Sequence, residues 1–423
     1  MESKTSALSD LCEAIIDCPH STPKWTARGV LVLRSHNIRA GRLALDDRSF
    51  TDEEHYKQRS RRAEIRAGDL VITREAPMGE VCMIPPNLRC CLGQRMVLLR
   101  PDPRKCDRCF LLYAMQSPSV QCQIGWSEGT GSTVSNLRIP HLEALRVPTP
   151  QLDEQRAIGA ALGSLDDKIE HNRKTSRALE GLARAMFKAW FVDFEPVHAK
   201  AAGATSFPGM PAEAFAALPT RFTDSELGPV PEGWEPGRLG DLLDIHDSRR
   251  IPLSKKQREA KHGHVRYFGA AGVIDYVDEA LFDGVHVLAG EDGSVVNADG
   301  TPVTQYVWGK FWVNNHAHVL TARLPWANEH LLLLLKSLQV KPFVTGAVQP
   351  KLSQGNMKSI TVLIPQGEAI TAFGRVIEPL YAAVRSAHDE SAKLAELRDY
   401  LLPKLLSGEV RVREELDAAE ACP

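Results

Sequence analysis

Gly131-Ser-Thr-Val-Ser-Asn-Leu-Arg-Ile-Pro-His-Leu-Glu-Ala-Leu-Arg-Val-Pro-Thr-Pro150 is matched, 215 residues later, by Gly346-Ala-Val-Gln-Pro-Lys-Leu-Ser-Gln-Gly-Asn-Met-Lys-Ser-Ile-Thr-Val-Leu-Ile-Pro365. Gly131, Leu137, Leu145, Val147 and Pro150 fall without a gap on Gly346, Leu352, Ile360, Val362 and Pro365. The register runs on to residues 191 and 406. Ile158, Leu162, Leu165, Ile169, Leu179, Leu182, Met186 and Phe187 align with Phe373, Ile377, Leu380, Val384, Leu394, Leu397, Leu401 and Leu402. A repeat with a half-chain period means two similar modules joined end to end. It predicts an α+β chain in which two mixed α/β globules are separated by two long antiparallel helices in a pseudo-two-fold arrangement.

The helical part of the repeat carries that reading. From Asp153 to about Phe194 apolar residues recur in steps near three and four, the seam of a helix that pairs with another. Leu162, Leu165, Ile169, Leu179, Leu182 and Met186 form the first seam, with polar Asn172 and Ser176 on it. Ile377, Leu380, Val384, Leu394, Leu397 and Leu401 form the second. A helix of some forty residues is roughly 60 Å long and needs a partner, which the repeat supplies in the same chain. Pro379 and Pro403 should kink the second helix or break its ends, leaving 380–402 as its uninterrupted core.

Working outward, residues 1–150 read as a first globule, 151–195 as the first long helix and 196–232 as a linker. Residues 233–365 read as a second globule, 366–410 as the second long helix and 411–423 as a tail. Val30–Leu33, Asp69–Ile72 and Met96–Leu99 look like buried strands of the first globule. Val265–Phe268, Val285–Ala289, Val303–Val307 and Ala317–Ala322 are strand candidates in the second. The linker is rich in Ala, Pro and Gly, and its end, Ser225-Glu-Leu-Gly-Pro-Val-Pro-Glu-Gly-Trp234, should resist regular structure.

With 423 residues the chain has room for two or more domains. The longest apolar run, Leu331–Leu335, is too short to span a bilayer, and Met-Glu-Ser-Lys-Thr-Ser lacks the form of a signal peptide. A cytoplasmic protein with no membrane partner is expected. Eight of nine cysteines lie between Cys12 and Cys122. Cys106-Asp-Arg-Cys109, with Cys90 and Cys91 upstream, lacks a properly spaced second pair for zinc, so reduced thiols are expected and no metal.

The formal net charge of −2 argues against a chain that coats nucleic acid indiscriminately. The charge is uneven, however. Arg249, Arg250, Lys255, Lys256, Arg258, Lys261 and Arg266 stand against Glu259 alone, and Lys57, Arg59, Arg61, Arg62, Arg66 and Arg74 against Glu64 and Asp69. A solvated face is the usual fate of one such run; two, in equivalent halves, favour an anionic ligand. Arg and Lys suit guanine or phosphate, and Asn and Gln suit adenine. The first globule offers Lys24, Arg34, His36, Asn37, Arg39, Arg61, Arg62 and Arg74. Ser132 and Thr133 add small polar side chains in the Gly129–Thr133 loop, whose backbone donors suit phosphate; a plain turn is the simpler reading of that loop alone. The second globule offers Arg249, Arg250, Lys255, Lys256, Tyr267, Asn314, Asn315, His316, Gln349 and Lys351. Any of these also reads as an ordinary surface or turn residue.

Catalytic motifs do not hold. Gly309-Lys310 lacks the glycine and hydroxyl of a phosphate loop, and Ile84-Pro-Pro-Asn87 has the wrong neighbours for a base-flipping methyltransferase. Glu291 and Asp292 suggest a metal-dependent nuclease, but no following lysine completes it. His316 and His318, alternating on a strand, make an incomplete zinc site. No catalytic residue is assigned.

Short stretches in a specific order give the chain its resemblance. They are Leu8-Ser-Asp-Leu-Cys12, Ile16-Asp-Cys-Pro-His-Ser-Thr-Pro-Lys-Trp25, Val134-Ser-Asn-Leu137, Pro150-Gln-Leu-Asp-Glu-Gln-Arg-Ala-Ile158, Leu165-Asp-Asp-Lys-Ile169 and Phe191-Val-Asp-Phe194 in the first half. The second half has Ser225-Glu-Leu-Gly228, Pro231-Glu-Gly-Trp234, Tyr267-Phe-Gly-Ala270, Phe282-Asp-Gly284, Gly290-Glu-Asp-Gly293, Asn314-Asn-His-Ala-His318, Gln349-Pro-Lys-Leu-Ser-Gln354 and Leu397-Arg-Asp-Tyr-Leu-Leu-Pro-Lys-Leu-Leu-Ser-Gly-Glu409. Over nearly its whole length the chain resembles the specificity (S) subunits of type I restriction-modification systems. The resemblance implies two target recognition domains, each reading half of a split double-stranded DNA sequence. It implies helices that dock two methyltransferase (M) subunits and set the gap between half-sites, and an endonuclease/translocase (R) subunit that joins them. It also implies a non-catalytic chain without cofactors, with S-adenosylmethionine, ATP and Mg in the partner subunits. The second helix lacks the Leu-Asp-Glu-Gln-Arg start of the first, so the two docking surfaces need not be equivalent. A metal-dependent nuclease and a protein-only coiled-coil scaffold are the alternatives.

Overall fold

The computed structural model describes residues 4–126, 136–346 and 348–412. The chain divides into two compact units, Met1–His171 with Glu390–Pro423, and Asn172–Asp389. Both long helices contribute to each unit.

In the first unit Cys12–Asp17, Met96–Pro101, Leu70–Thr73 and Val81–Met83 form, in that order, a four-stranded antiparallel sheet. Val30–Leu33 lies between antiparallel Ser49–Thr51 and parallel Cys90–Leu92, and Thr5–Ala7 pairs with Arg146–Pro148. The second unit repeats these strands, though not the short hairpin Ile38–Arg39/Arg42–Leu43 that the first also carries. Leu243–Ile245, Ala317–Ala322, His286–Gly290 and Thr304–Val307 make the four-stranded sheet. His262–Phe268 lies between antiparallel Val273–Val277 and parallel Phe311–Val313, and Glu235–Arg238 pairs with Thr361–Ile364. The duplication therefore extends well beyond the segment in which side chains still match. Val30, Leu31, Val32 and Leu33 are all buried, as are Val287, Leu288 and Ala289, so these strands read as continuous apolar runs.

The long helices span Leu152–Phe191 and Ala369–Ser407. Within the first unit Ile158 and Leu162 share a core with Leu402, Leu405 and Leu406. Asp166 meets Arg398 at 2.8 Å and Lys168 meets Glu390 at 3.3 Å, so numbers rise on one helix as they fall on the other. Within the second unit Phe187 and Trp190 pack on Phe373, with ring centroids 5.9 and 5.1 Å apart, beside Ala183, Ile377 and Tyr381. Asn172 and Ser176 are buried, as the seam predicts. Leu182 and Leu397 are not in the seam: they are 49% and 44% exposed, and Ala183 takes the buried position. Among the other seam residues Leu162, Ile169, Ile377 and Val384 are buried, while Leu165, Leu179, Met186, Leu380, Leu394 and Leu401 are half-buried.

Two further expectations fail. The second helix is unbroken through Pro379 and Pro403. Ile377 and Tyr381, both buried against the core, hold the turn around Pro379 in place, so packing offsets the backbone bond that proline removes. The end of the 196–232 segment, expected to resist regular structure, carries the strand Gly228–Pro231 of a hairpin with Phe222–Ser225, and the segment before it holds the helices Glu195–Ala201 and Ala212–Ala217. Its Val197, Phe215 and Leu218 form a small core with Trp234 and Ala369, enough apolar burial to order an alanine-rich stretch. Among the described residues no helix is long and apolar enough to cross a membrane.

Candidate nucleic-acid interface

In both heads the candidate side chains sort by what already holds them. Arg250 donates to Glu291 Oε2 at 2.8 Å and to the Ala317 carbonyl at 2.6 Å, and lies 3.3 Å from Asp247 Oδ2. Asp247 also receives Gln354 Nε2 at 2.7 Å and the Val319 N–H at 3.0 Å. The ring of wholly buried His318 bridges Asp247 Oδ2 at 2.6 Å and the Leu352 carbonyl at 2.8 Å. Burial works against the Asp247 charge, but His318 and Arg250 win and hold its pKa below the ordinary carboxylate range. Lys351 closes the network on Glu291 Oε1 at 3.3 Å.

Arg250 is therefore a strut, not a reader. Tyr267 is also removed from the interface: it is buried, and its hydroxyl accepts the Leu253 N–H at 2.9 Å. Asn314, also buried, accepts the His316 N–H at 2.8 Å within a turn. What remains outward in this head is Lys255, Lys256, Asn315, Gln349, the free edge of Lys351 and Arg249, which is exposed but donates to the Leu281 carbonyl at 2.8 Å and lies 4.7 Å over the Phe282 ring. His316, half-exposed, is hydrogen-bonded to Asp292. It lies just before the strand that carries His318, and the two do not form a shared site.

The first head loses two candidates. Asn37 is buried and staples a turn, with its amide donating to the carbonyls of Ala44 at 2.9 Å and Asp47 at 2.8 Å. Arg74 donates to both Asp17 oxygens, at 2.9 and 3.1 Å, and to the Leu137 carbonyl at 2.9 Å. Lys24, Arg34, Arg39, Arg61 and Arg62 are exposed. Lys24 lies 3.3 Å from Asp52, and Arg62 reaches the Asp17 carbonyl at 3.2 Å. Ser132 and Thr133 lie outside the described residues.

Two features escaped the sequence reading. Trp25 is 47% exposed, with the Arg34 guanidinium 5.4 Å from its ring centre, a flat surface on which a base can stack. Behind it Arg59 is buried and donates to the carbonyls of Leu92, Ser21 and Pro19 at 2.8, 2.9 and 3.1 Å. It is the pin under the loop that presents Lys24 and Trp25. An arginine inside a basic run gives no sign of which member turns inward.

The backbone shows how the heads have diverged. Arg74 accepts the Leu137 N–H at 3.0 Å and donates its own N–H to Arg95; Glu291 accepts the Leu352 N–H at 2.9 Å and donates to His316. The two occupy one position of the repeat and carry opposite charges.

Asp247, Glu291 and His318 are the single group among the described residues with the spacing of a metal site. Arg250 and Lys351 already stand at those oxygens, and a divalent ion would have to displace them. Glu291 and Asp292 thus serve as partners of Arg250 and His316. Burial pushes the thiols of Cys12, Cys82 and Cys90 up to about 12, away from the thiolate form a metal needs.

The sequence model for the type I restriction modification DNA specificity domain matches residues 2–180 and 231–394. The MjaIX specificity subunit of a type I restriction enzyme from Methanocaldococcus jannaschii is 27% identical over 361 residues, covering 82% of this chain and 78% of that one. The HindI specificity subunit from Haemophilus influenzae is 24% identical over 345 residues, covering 67% and 73%. The crystal structure of a type I restriction-modification S subunit from M. genitalium has the same fold, with a TM-score of 0.56, 18% identity and 95% of each chain covered. With two family matches on two heads of one topology, this chain belongs to the type I restriction-modification DNA specificity family.

Proposed function

We infer that this chain is the non-catalytic sequence-reading subunit of a type I restriction-modification assembly, each head reading one half of a split double-stranded DNA target. The observation that carries the reading is a pair of heads with one topology and different outward side chains. Lys24, Trp25 and Arg34 mark one; Arg249, Lys255, Lys256 and Gln349 mark the other. Heads that differ call for an asymmetric target, since a palindrome needs identical readers.

Two methyltransferase subunits dock on the long helices, and an endonuclease/translocase subunit completes the complex. S-adenosylmethionine, ATP and Mg belong to those partners. Leu182 and Leu397, one repeat apart and both left outside the seam, support two related docking positions.

The test is a genome-wide map of N6-methyladenine in a methylation-free host. The chain is expressed with its cognate methyltransferase subunit, and the methyltransferase alone is the control. A split, asymmetric motif that appears only with this chain is expected. A stable complex that leaves no motif refutes the reading.

A further inference from the structure

Each head meets the long helices through a shared apolar core and through polar contacts set well apart along the helix. In the first unit the Gln155 side chain accepts the Asp107 N–H at 3.0 Å near the start of the helix. Eleven residues further on, about 16 Å along the axis, stands Asp166. Its carboxylate receives Arg42 Nη2 at 2.7 Å, Arg398 Nη1 at 2.8 Å and the Tyr113 hydroxyl at 2.9 Å. These donors come from the hairpin Ile38–Arg39/Arg42–Leu43, the other long helix and the head helix Arg108–Gln116. Burial opposes the charge on Asp166, yet Arg42 and Arg398 hold its pKa below the ordinary range.

The second unit has a counterpart. His330 reaches the Ile370 carbonyl at 3.0 Å. Fifteen residues on, Arg385 meets Glu329 at 3.1 Å and the hydroxyl of Tyr306, which is itself bonded to Glu329. A tyrosine, a carboxylate and an arginine of the second long helix recur in both units.

The apolar core and the polar contact at Gln155 hold the head on the helix; a second polar contact, a helical span away, adds a directional restraint on its angle. Apolar packing beside the tie is non-directional, whereas a carboxylate holding three aimed donors has one geometry. We propose that the Asp166 cluster with Arg42 and Tyr113 is a positioning clamp that sets the angle of the first head on the helix pair, and thereby the strictness of the gap between half-sites. The proposal rests on the chain being a specificity subunit.

The experiment uses the full chain assembled with its methyltransferase subunits and duplexes carrying both half-sites. The gap is that of the mapped motif, or one base pair shorter or longer. Arg42→Ala with Tyr113→Phe frees the head and leaves Asp166–Arg398 between the helices. The expected result is a rise of about tenfold in methylation of wrong-gap duplexes relative to the correct gap, a free-energy difference of about 1.4 kcal/mol, with the bases of each half-site unchanged. General destabilisation lowers all three duplexes alike and leaves the ratio unmoved. If the double variant does not assemble, Tyr113→Phe alone, which removes only a hydroxyl, reads the same ratio with an expected rise of about threefold. An unchanged ratio in an assembled variant overturns the clamp. Gap-blind methylation by the parent chain instead sinks the functional reading beneath it.

Discussion

His330 shows how one buried side chain makes a head sensitive to acid. It is wholly buried among Phe191, Trp326 and Phe373, and accepts the Ala327 N–H at 3.2 Å while its other nitrogen donates to the Ile370 carbonyl. Burial lowers its pKa from 6.5 to about 4, the backbone bond opposing only partly. The unfolded chain then takes up a proton at a pH where the folded ring does not. Stability is full above the unfolded value and declines as pH falls from 6.5 toward about 4, by about 3 kcal/mol in all. Replacing His330 by Gln keeps a donor and an acceptor but removes the titration. Its stability loss between about pH 7 and pH 5 should be smaller than the parent's by about 2 kcal/mol, read by urea unfolding followed at tryptophan. Equal losses in both chains would exclude His330 as the source. Sequence shows a histidine one residue before Leu331-Leu-Leu-Leu-Leu335 but not its partners. Arg59, Arg74 and Arg250 make the same point: chemical type was legible, whereas the direction a side chain turns depends on carbonyls and carboxylates far away in the chain.

Among elements, the first long helix was legible nearly to its ends, because apolar spacing is a local signal. What spacing does not carry is the depth of a neighbour. Gly159 and Gly163 sit one helical turn apart and look alike in sequence, yet a Cβ on Gly159 would lie 2.8 Å from Asp107 Oδ1 and 2.9 Å from the Phe110 nitrogen, whereas one on Gly163 meets nothing within 4 Å. Asp107 caps the helix Arg108–Gln116 by accepting the Phe110 N–H at 2.9 Å, so Gly159 lets that helix start pack on the long one. Gly159→Leu should destabilise the first unit by about 1–3 kcal/mol through overpacking. Gly163→Ala should stabilise it by up to about 1 kcal/mol through helix propensity. Denaturant midpoints of the two variants moving in the same direction would contradict this packing. The proline rule misjudged the second helix for a related reason, since burial of Ile377 and Tyr381 is set by the head and not by the local sequence.

For the molecule as a whole, the repeat visible at 131–191 and 346–406 marks the less diverged part of a duplication that the backbone carries through both heads. The heads' likeness was hidden because strand order needs only short apolar runs, which many different side chains satisfy; Arg74 and Glu291 at one backbone position are an instance. This division also separates the exposed cations from those held by carboxylates inside the head. Counter-ion release makes log K fall with log salt by about 0.9 per phosphate neutralised, so only outward cations contribute to the slope. Changing Arg249, Lys255 and Lys256 together to glutamine should flatten the slope for the assembled complex by up to about 2.7 and weaken binding at low salt. Arg250→Gln, which leaves Glu291 and Asp247 short of a buried partner, should lower the unfolding midpoint and leave the slope of the folded fraction intact. Salt titrations of DNA binding beside thermal unfolding separate the two. A slope that follows Arg250 and ignores the three exposed cations would place the DNA on the opposite side of this network.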